Sequence, residues 1–289
     1  MSATLLMGKP IADKINDQIT ADLETLKKEK GIVPSLASVL VGDDPASKAY
    51  SGRQKKSAEK IGINYELHEL PGDISEDRLI EFITNLNNDS NVNGIIIQMP
   101  LPTGISEQRV QGTIAQKKDV EGITPANLGL IVYDRPRLIP CTSLSAVKLV
   151  ESAGINIYGK NLTLVGRSAI VGKPVALLML QRKFSPTVTI CHRGTSDTGN
   201  LPDHVSRADI LIVASGSPEL VKGEWIKEGS IVVDVGFNVV DGKTVGDVEF
   251  EVAKERAGYI TPVPGGVGPL TVAILLQNTI EATKWQLES

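Results

Sequence analysis

The residues best suited to chemistry begin in the stretch "DDPASKAYSGRQKKSAEKIGI", Asp43 to Ile63. It reads as a turn running into a charged helix that stops before Gly62. Tyr50 and Gln54 are four apart and share one helical face. A tyrosine beside a lysine at that spacing would form an acid/base pair. Gln54 does not titrate, and the lysines come later, at Lys55 and Lys56. From the helix alone, a solvated surface is the ordinary expectation. A second constellation is "LTLVGRSAIVGKPVALLML", with Gly166 at a strand end, Gly172 before a helix and Pro174 in its first turn. Strand, glycine turn and helix N-terminus make an anion cradle. The spacing G-x-x-x-x-x-G is not the G-x-G-x-x-G fingerprint, so a plain tight turn is the competing reading. Arg167 and Ser168 favour phosphate, because both can donate to an oxyanion. About 25 residues on, the next strand of the unit ends at "TICHRGTSD". Sites that prefer NAD place a carboxylate there to hold the ribose. Here stand His192, Arg193 and Thr195, and a cation suits the extra phosphate of NADP. Asp197 keeps NAD open. His192 fits a structural or phosphate-side role better than that of a catalytic base.

These residues need elements to position them. "PSLASVLVG" (34–42) and "VNGIIIQMPLP" (92–102) read as buried parallel strands, with helices expected over 10–30, 46–60, 75–88 and 105–116. Pro136 and Pro140 mark a linker, after which Thr142 or Ser143 could cap a helix over 143–152. From there "NLTLVG", "TVTICH", "ADILIVAS", "SIVVDVG" and "YITPV" read as strands, with "KPVALLMLQRK" a helix. Strands alternating with short helices imply a doubly wound parallel sheet. A last helix is expected from Thr271 to Glu288. The fold class is therefore α/β, with two domains and the second Rossmann-like.

Composition sets limits. The chain has 289 residues, 41% hydrophobic and 22% charged, enough for two domains. A net charge of −4 and a pI of about 5.5 speak against nucleic-acid and anionic-membrane partners. No apolar run is long enough for a transmembrane helix. Cys141 and Cys191, with His68, His192 and His204, make no metal-spaced set, so no metal is expected. A reduced cytoplasmic setting fits the two cysteines.

Five motifs, "VGDDPASKAY" (41–50), "GIIIQMPLP" (94–102), "KDVEGITPANLG" (118–129), "GRSAIVGKP" (166–174) and "PVPGGVGPLT" (262–271), stand in the order and spacing of one family. Over nearly its whole length the chain resembles methylenetetrahydrofolate dehydrogenase/methenyltetrahydrofolate cyclohydrolase. The resemblance implies two α/β domains with a cleft between them. Residues 1–138 would form the folate-binding catalytic domain, with the helix 271–289 packing back on it, and residues 139–270 the NADP domain. It also implies tetrahydrofolate one-carbon derivatives as substrates and a homodimer paired through the nucleotide domains. Tyr50 matches the tyrosine lining the folate pocket, and Gln98 the glutamine that contacts the catalytic lysine. Pro264, Gly265, Gly266, Val267 and Gly268 match the loop over both ligands, Gly268 on the cofactor side. Gly166, Arg167 and Ser168 match the cofactor loop.

Three places depart from the pattern. The catalytic lysine is Gln54, the aspartate on the pterin ring is Glu121, and "PCTPxG" is "PCTSLS", with Ser143 and Ser145. These departures fall mainly at the folate end. Hydride transfer from methylenetetrahydrofolate needs alignment but no general base. Adding water to the methenyl cation needs a group that takes and returns protons. A lysine of lowered pKa can do that and Gln54 cannot. The expectation is an NADP-dependent dehydrogenase with weak or lost cyclohydrolase activity. The alternatives are a fully bifunctional enzyme, a non-catalytic binding paralogue, and a dehydrogenase for another one-carbon carrier.

Overall fold

Two parallel sheets organise the chain in the computed structural model, which describes residues 2–288. In chain order the elements are β1 (Thr4–Leu5), α1 (Gly8–Lys30), β2 (Ser35–Val41), α2 (Pro45–Ile61), β3 (Asn64–Leu70), α3 (Glu76–Asn88), β4 (Gly94–Ile97), α4 (Glu107–Gly112), α5 (Pro125–Val132), α6 (Cys141–Ser152), β5 (Asn161–Val165), α7 (Gly172–Met179), β6 (Thr187–Cys191), α8 (Arg193–Asp197), α9 (Leu201–Ser206), β7 (Ile210–Val213), β8 (Ile231–Asp234), β9 (Asn238–Val240), β10 (Lys243–Val245), α10 (Phe250–Arg256), β11 (Tyr259–Ile260) and α11 (Val267–Leu287). The chain forms two α/β units. One gathers the residues up to Ala12 with Pro140–Thr271, and the other Asp13–Ile139 with the residues from Val272 onward.

The smaller sheet runs β3-β2-β4, all parallel. β2 is central and buried along almost its whole length, which is why "SLASVLV" is nearly all apolar. One face of the sheet packs on Leu79, Ile83 and Leu86 of α3, a set with helical spacing. Helix α2 is delimited by its own sequence. Asp44 accepts from the Ser47 amide, Pro45 opens the first turn, and Gly62, at φ +96°, closes the end by donating to the carbonyls of Ala58 and Glu59. Its buried face carries Ser47, Ser51, Gln54 and Ala58, so it is a polar face turned inward rather than a solvated one.

The larger sheet runs β1-β11-β8-β7-β5-β6, again all parallel. The order reverses at β5: the chain goes from β5 out to β6, then returns past β5 to β7. The loops after β5 and β7 therefore meet at the switch point, where open parallel sheets bind ligands.

Several elements differ from their sequence expectations. Residues 1–12 belong to the larger-sheet unit, because β1 pairs in parallel with β11, Thr4 opposite Tyr259. The strand expected over 92–102 is ordered as β4 only from Gly94 to Ile97, since the prolines beyond cannot donate to a ladder. The helices expected over 105–116 and in "KPVALLMLQRK" shorten to α4 and α7. Helix α6 starts at Cys141, so Ser143 lies inside it and caps nothing. Helix α11 begins at Val267, four residues before the expected start. Among the described residues no helix is long and apolar enough to cross a membrane, no group of metal-ligating side chains gathers, and both cysteines are buried and outside any disulfide.

Candidate active site

In the smaller-sheet unit the structure brings Gln54 and Gln98 together. Gln98 follows β4, and its Nε2 donates to Gln54 Oε1 at 2.8 Å and to Ser38 Oγ of β2 at 2.9 Å. Tyr65 of β3 donates from its hydroxyl to the same Gln54 Oε1 at 3.0 Å. Gln54 is 0% exposed and Gln98 3%. Gln54 Nε2 is buried and has no hydrogen-bond partner. Burial pushes the Tyr65 phenol up to about 12, so it stays protonated. The expected lysine position is thus a neutral buried amide inside a neutral network. Ser47 Oγ donates to the Met99 carbonyl at 2.7 Å and ties the start of α2 to the loop that carries Gln98.

Tyr50 lies one turn before Gln54, half-buried, with the Arg53 guanidinium 5.6 Å from its ring centre. Lys55 is exposed and faces Glu59 at 3.9 Å, away from the buried face of the helix. Glu121 is half-buried, and its Oε2 is out of solvent and unpartnered. Burial first, and the charge of Asp119 second, raise the Glu121 carboxyl to about 8. Asp119 itself is fully buried and well supplied with donors: the amides of Ile123 and Thr124 and the Asn127 side chain. A neutral Glu121 can donate a hydrogen bond as well as accept one.

In the larger-sheet unit the glycine loop after β5 is built by close approach. Gly166 sits at φ +126°, and a Cβ there would lie 2.2 Å from the Ala214 carbonyl oxygen in the loop after β7. A Cβ on Gly172 would lie 2.4 Å from the Gly166 oxygen. Only glycine fits either place. Ser168 Oγ accepts from the amides of Val171 and Gly172, and its own hydrogen remains available for an anion. Arg167 and Ser168 are exposed at the helix start. Ser143 donates to the carbonyls of Ile170 and Val171. It therefore belongs beneath this loop, which corrects the expectation that the departures cluster at the folate end. Ser145 donates to the Cys141 carbonyl inside the same unit.

At the end of β6, His192 caps α8, its Nδ1 accepting from the Gly194 amide while Thr195 accepts from the His192 amide. His192 Nδ1 is thus engaged in the cap. Arg193 is 92% exposed, and Asp197 is turned to it at 3.7 Å. No carboxylate occupies the strand end. Pro264 follows a cis peptide bond, Gly265 has φ +119°, and the Gly265 carbonyl accepts from the Gly8 amide at 3.0 Å. The Gly266 amide bonds the Pro262 carbonyl, Val267 opens α11, and Gly268 lies exposed in its first turn.

Sequence reasoning missed Tyr65, Ser38, Asp234 and Asp247. Asp247 accepts from the Ser215 and Gly216 amides and from Asn238, and so holds the loop after β7. Asp234 accepts from the Gly236, Asp247 and Val248 amides. Gly236 and Gly246 leave no room for a Cβ beside these carboxylates, and these tight glycines were the available signal.

Comparison with known proteins places this geometry. The description "Tetrahydrofolate dehydrogenase/cyclohydrolase, catalytic domain" matches residues 6–121, and "Tetrahydrofolate dehydrogenase/cyclohydrolase, NAD(P)-binding domain" matches residues 140–287. The chain belongs to the tetrahydrofolate dehydrogenase/cyclohydrolase family. It is 48% identical over 283 residues to "Bifunctional protein FolD 2" of Geobacter sulfurreducens, covering 98% of this chain and 97% of that protein. A crystal structure of a bifunctional FolD enzyme from Campylobacter jejuni superposes with a TM-score of 0.93 at 40% identity, over 99% of this chain and 100% of that one. FolD of Trypanosoma brucei, solved with NADP cofactor and an inhibitor, gives 0.93 at 34% identity, covering 100% of both chains.

Proposed function

We propose that this protein oxidises methylenetetrahydrofolate with NADP as hydride acceptor, and that it hydrolyses the methenyl product slowly. One observation carries the second half. Position 54, which matches the family's catalytic lysine, is a buried glutamine whose hydrogen-bonded neighbours are Tyr65 and Gln98. None of the three exchanges a proton near neutrality. Tyr50, Gln98, Glu121 and the loop from Pro264 to Val267 are the proposed folate-binding residues. Gly166, Arg167, Ser168, His192, Arg193, Thr195 and Gly268 are the proposed cofactor residues.

The fit to a dinucleotide rests on the glycine cradle, which keeps side chains away from backbone amides at the start of α7. When bound, the nicotinamide accepts the hydride. The protein's part is alignment and dehydration of the site, which involve no titrating group. The preference for NADP over NAD rests on Arg193 and on the absence of a carboxylate at the end of β6. Hydration is different. The incoming water must lose a proton and a ring nitrogen must gain one, and a positioned base is worth about 10²–10⁴-fold.

The names of the relatives favour a second reading, in which both reactions run at comparable rates. Another group would then carry the proton, and Lys55, exposed and facing Glu59, is not placed for it. One assay separates the two readings. Purified protein is mixed with methylenetetrahydrofolate and NADP, and NADPH and methenyl absorbance are followed together. Methenyl accumulating in step with NADPH supports the first reading. Methenyl draining faster than in an enzyme-free control supports the second. Silence in both channels removes both.

A further inference from the structure

The hydrogen bonds around position 54 converge on one atom. Gln98 Nε2 has two hydrogens and uses both, one on Ser38 Oγ and one on Gln54 Oε1. Tyr65 has one hydroxyl hydrogen and places it on the same Gln54 Oε1. That oxygen therefore carries both the hydrogen bonds it has lone pairs to accept. Turning the Gln54 amide over alone would set its NH₂ against the Gln98 donor, so a reversal requires Gln98 to turn with it. In this arrangement the Gln54 oxygen is taken up by the protein and its Nε2 is not. Nε2 is buried and unpartnered, and a buried donor left in that state is disfavoured. A ligand oxygen can supply the partner that it lacks in the protein.

Resting on the family function proposed above, we infer that Gln54 is a hydrogen-bond donor to a carbonyl or carbinol oxygen of the folate-type substrate, and that Tyr65 is the positioning residue that fixes its orientation. The residue at 54 then recognises substrate instead of moving protons. Tyr65 reaches it from β3 and Gln98 from the loop after β4, so the two strands that flank β2 set the angle of one amide on α2. Tyr65 keeps its proton across the working range, so the donor stays available at every pH.

Three proteins test this: wild type, Tyr65→Phe and Gln54→Glu. Losing the Tyr65 hydroxyl should raise the KM for methylenetetrahydrofolate about 3- to 10-fold, with the KM for NADP unmoved. In Gln54→Glu the new carboxylate can still accept from Tyr65 and Gln98, but it has no hydrogen to donate. The kcat/KM of that variant should be low at pH 8 and recover on acidification as the carboxyl regains an O–H, while wild type stays flat over that range. An unchanged folate KM in Tyr65→Phe would overturn the inference. So would wild-type kcat/KM in Gln54→Glu at pH 8, because the amide would then be presenting its oxygen. If wild type turns over neither reaction, the functional reading fails by itself. Calorimetry with folinate, a stable formyl-tetrahydrofolate, then decides on the same proteins. Weaker binding by Tyr65→Phe supports the network, and equal binding overturns it.

Discussion

The glycine loop after β5 and the amide network on α2 are built from opposite materials. The loop is defined by backbone: Gly166 and Gly172 remove side chains so that carbonyls and amides can approach. Side chains around it can vary. Ser143 stands where the resemblance expects proline, and it simply bonds two loop carbonyls. The network is defined by side chains: Ser38, Gln54, Tyr65 and Gln98 share three hydrogen bonds. There a single replacement changes the proton inventory. A backbone-built site resists drift in its chemistry, whereas a side-chain-built site can lose one reaction and keep its shape.

The largest expected effect sharpens this contrast. Gln54→Lys should raise methenyl hydrolysis by about 10²-fold or more, read as loss of methenyl absorbance, with the dehydrogenase little changed. No gain beside a normal dehydrogenase would mean that position 54 is not where the proton route was lost. Next comes Gly166→Ala, which puts a Cβ 2.2 Å from a carbonyl oxygen at a φ of +126°. It should lower stability by about 1–3 kcal/mol in thermal melts and weaken NADP binding at least about tenfold. A variant that binds NADP normally would break the view of the loop as cradle.

The third effect is on pH. Glu121 has a folded-state pKa of about 8, above its ordinary 4.5. It binds its proton more tightly when folded, so its stabilising contribution is complete below about pH 4.5 and is lost as pH rises through 8. Glu121→Gln stays neutral and should outlast wild type in denaturant above pH 8, by on the order of 1 kcal/mol or more. Asp234, raised to about 7 by burial, keeps some of the same downward slope in the variant. Equal slopes would show that Glu121 ionises freely. The smallest effect is Lys55→Ala. Its exposed pair with Glu59 is worth no more than about 0.5 kcal/mol, and hydrolysis should not move.

Much of this was legible in the sequence because it is local. Asp44, Pro45 and Gly62 announce the ends of α2, and the buried apolar run of β2 announces a central parallel strand. The glycine loop was legible because its spacing encodes its geometry. Tyr65 was not, because β3 follows α2 by a short turn and nothing in "NYELHEL" says that one side chain reaches back to the helix. The place of residues 1–12 was hidden for a related reason. β1 is two residues long and carries no periodic signal, and its partner lies at the far end of the chain.

That pairing has a consequence for how the molecule is made. Thr4 is made long before its partner Tyr259. The larger sheet keeps an open edge at β8 until β11 has emerged. The other unit waits as well, for the residues of α11 from Val272 onward. Neither unit can close before its late segments, up to Thr271 in one and from Val272 in the other, have been made. Long sequence separation slows closure and leaves strand edges exposed to neighbours in the meantime. A bulky fusion at the N-terminus would sit beside that late-closing edge, so the position of a purification tag bears on the yield of folded enzyme.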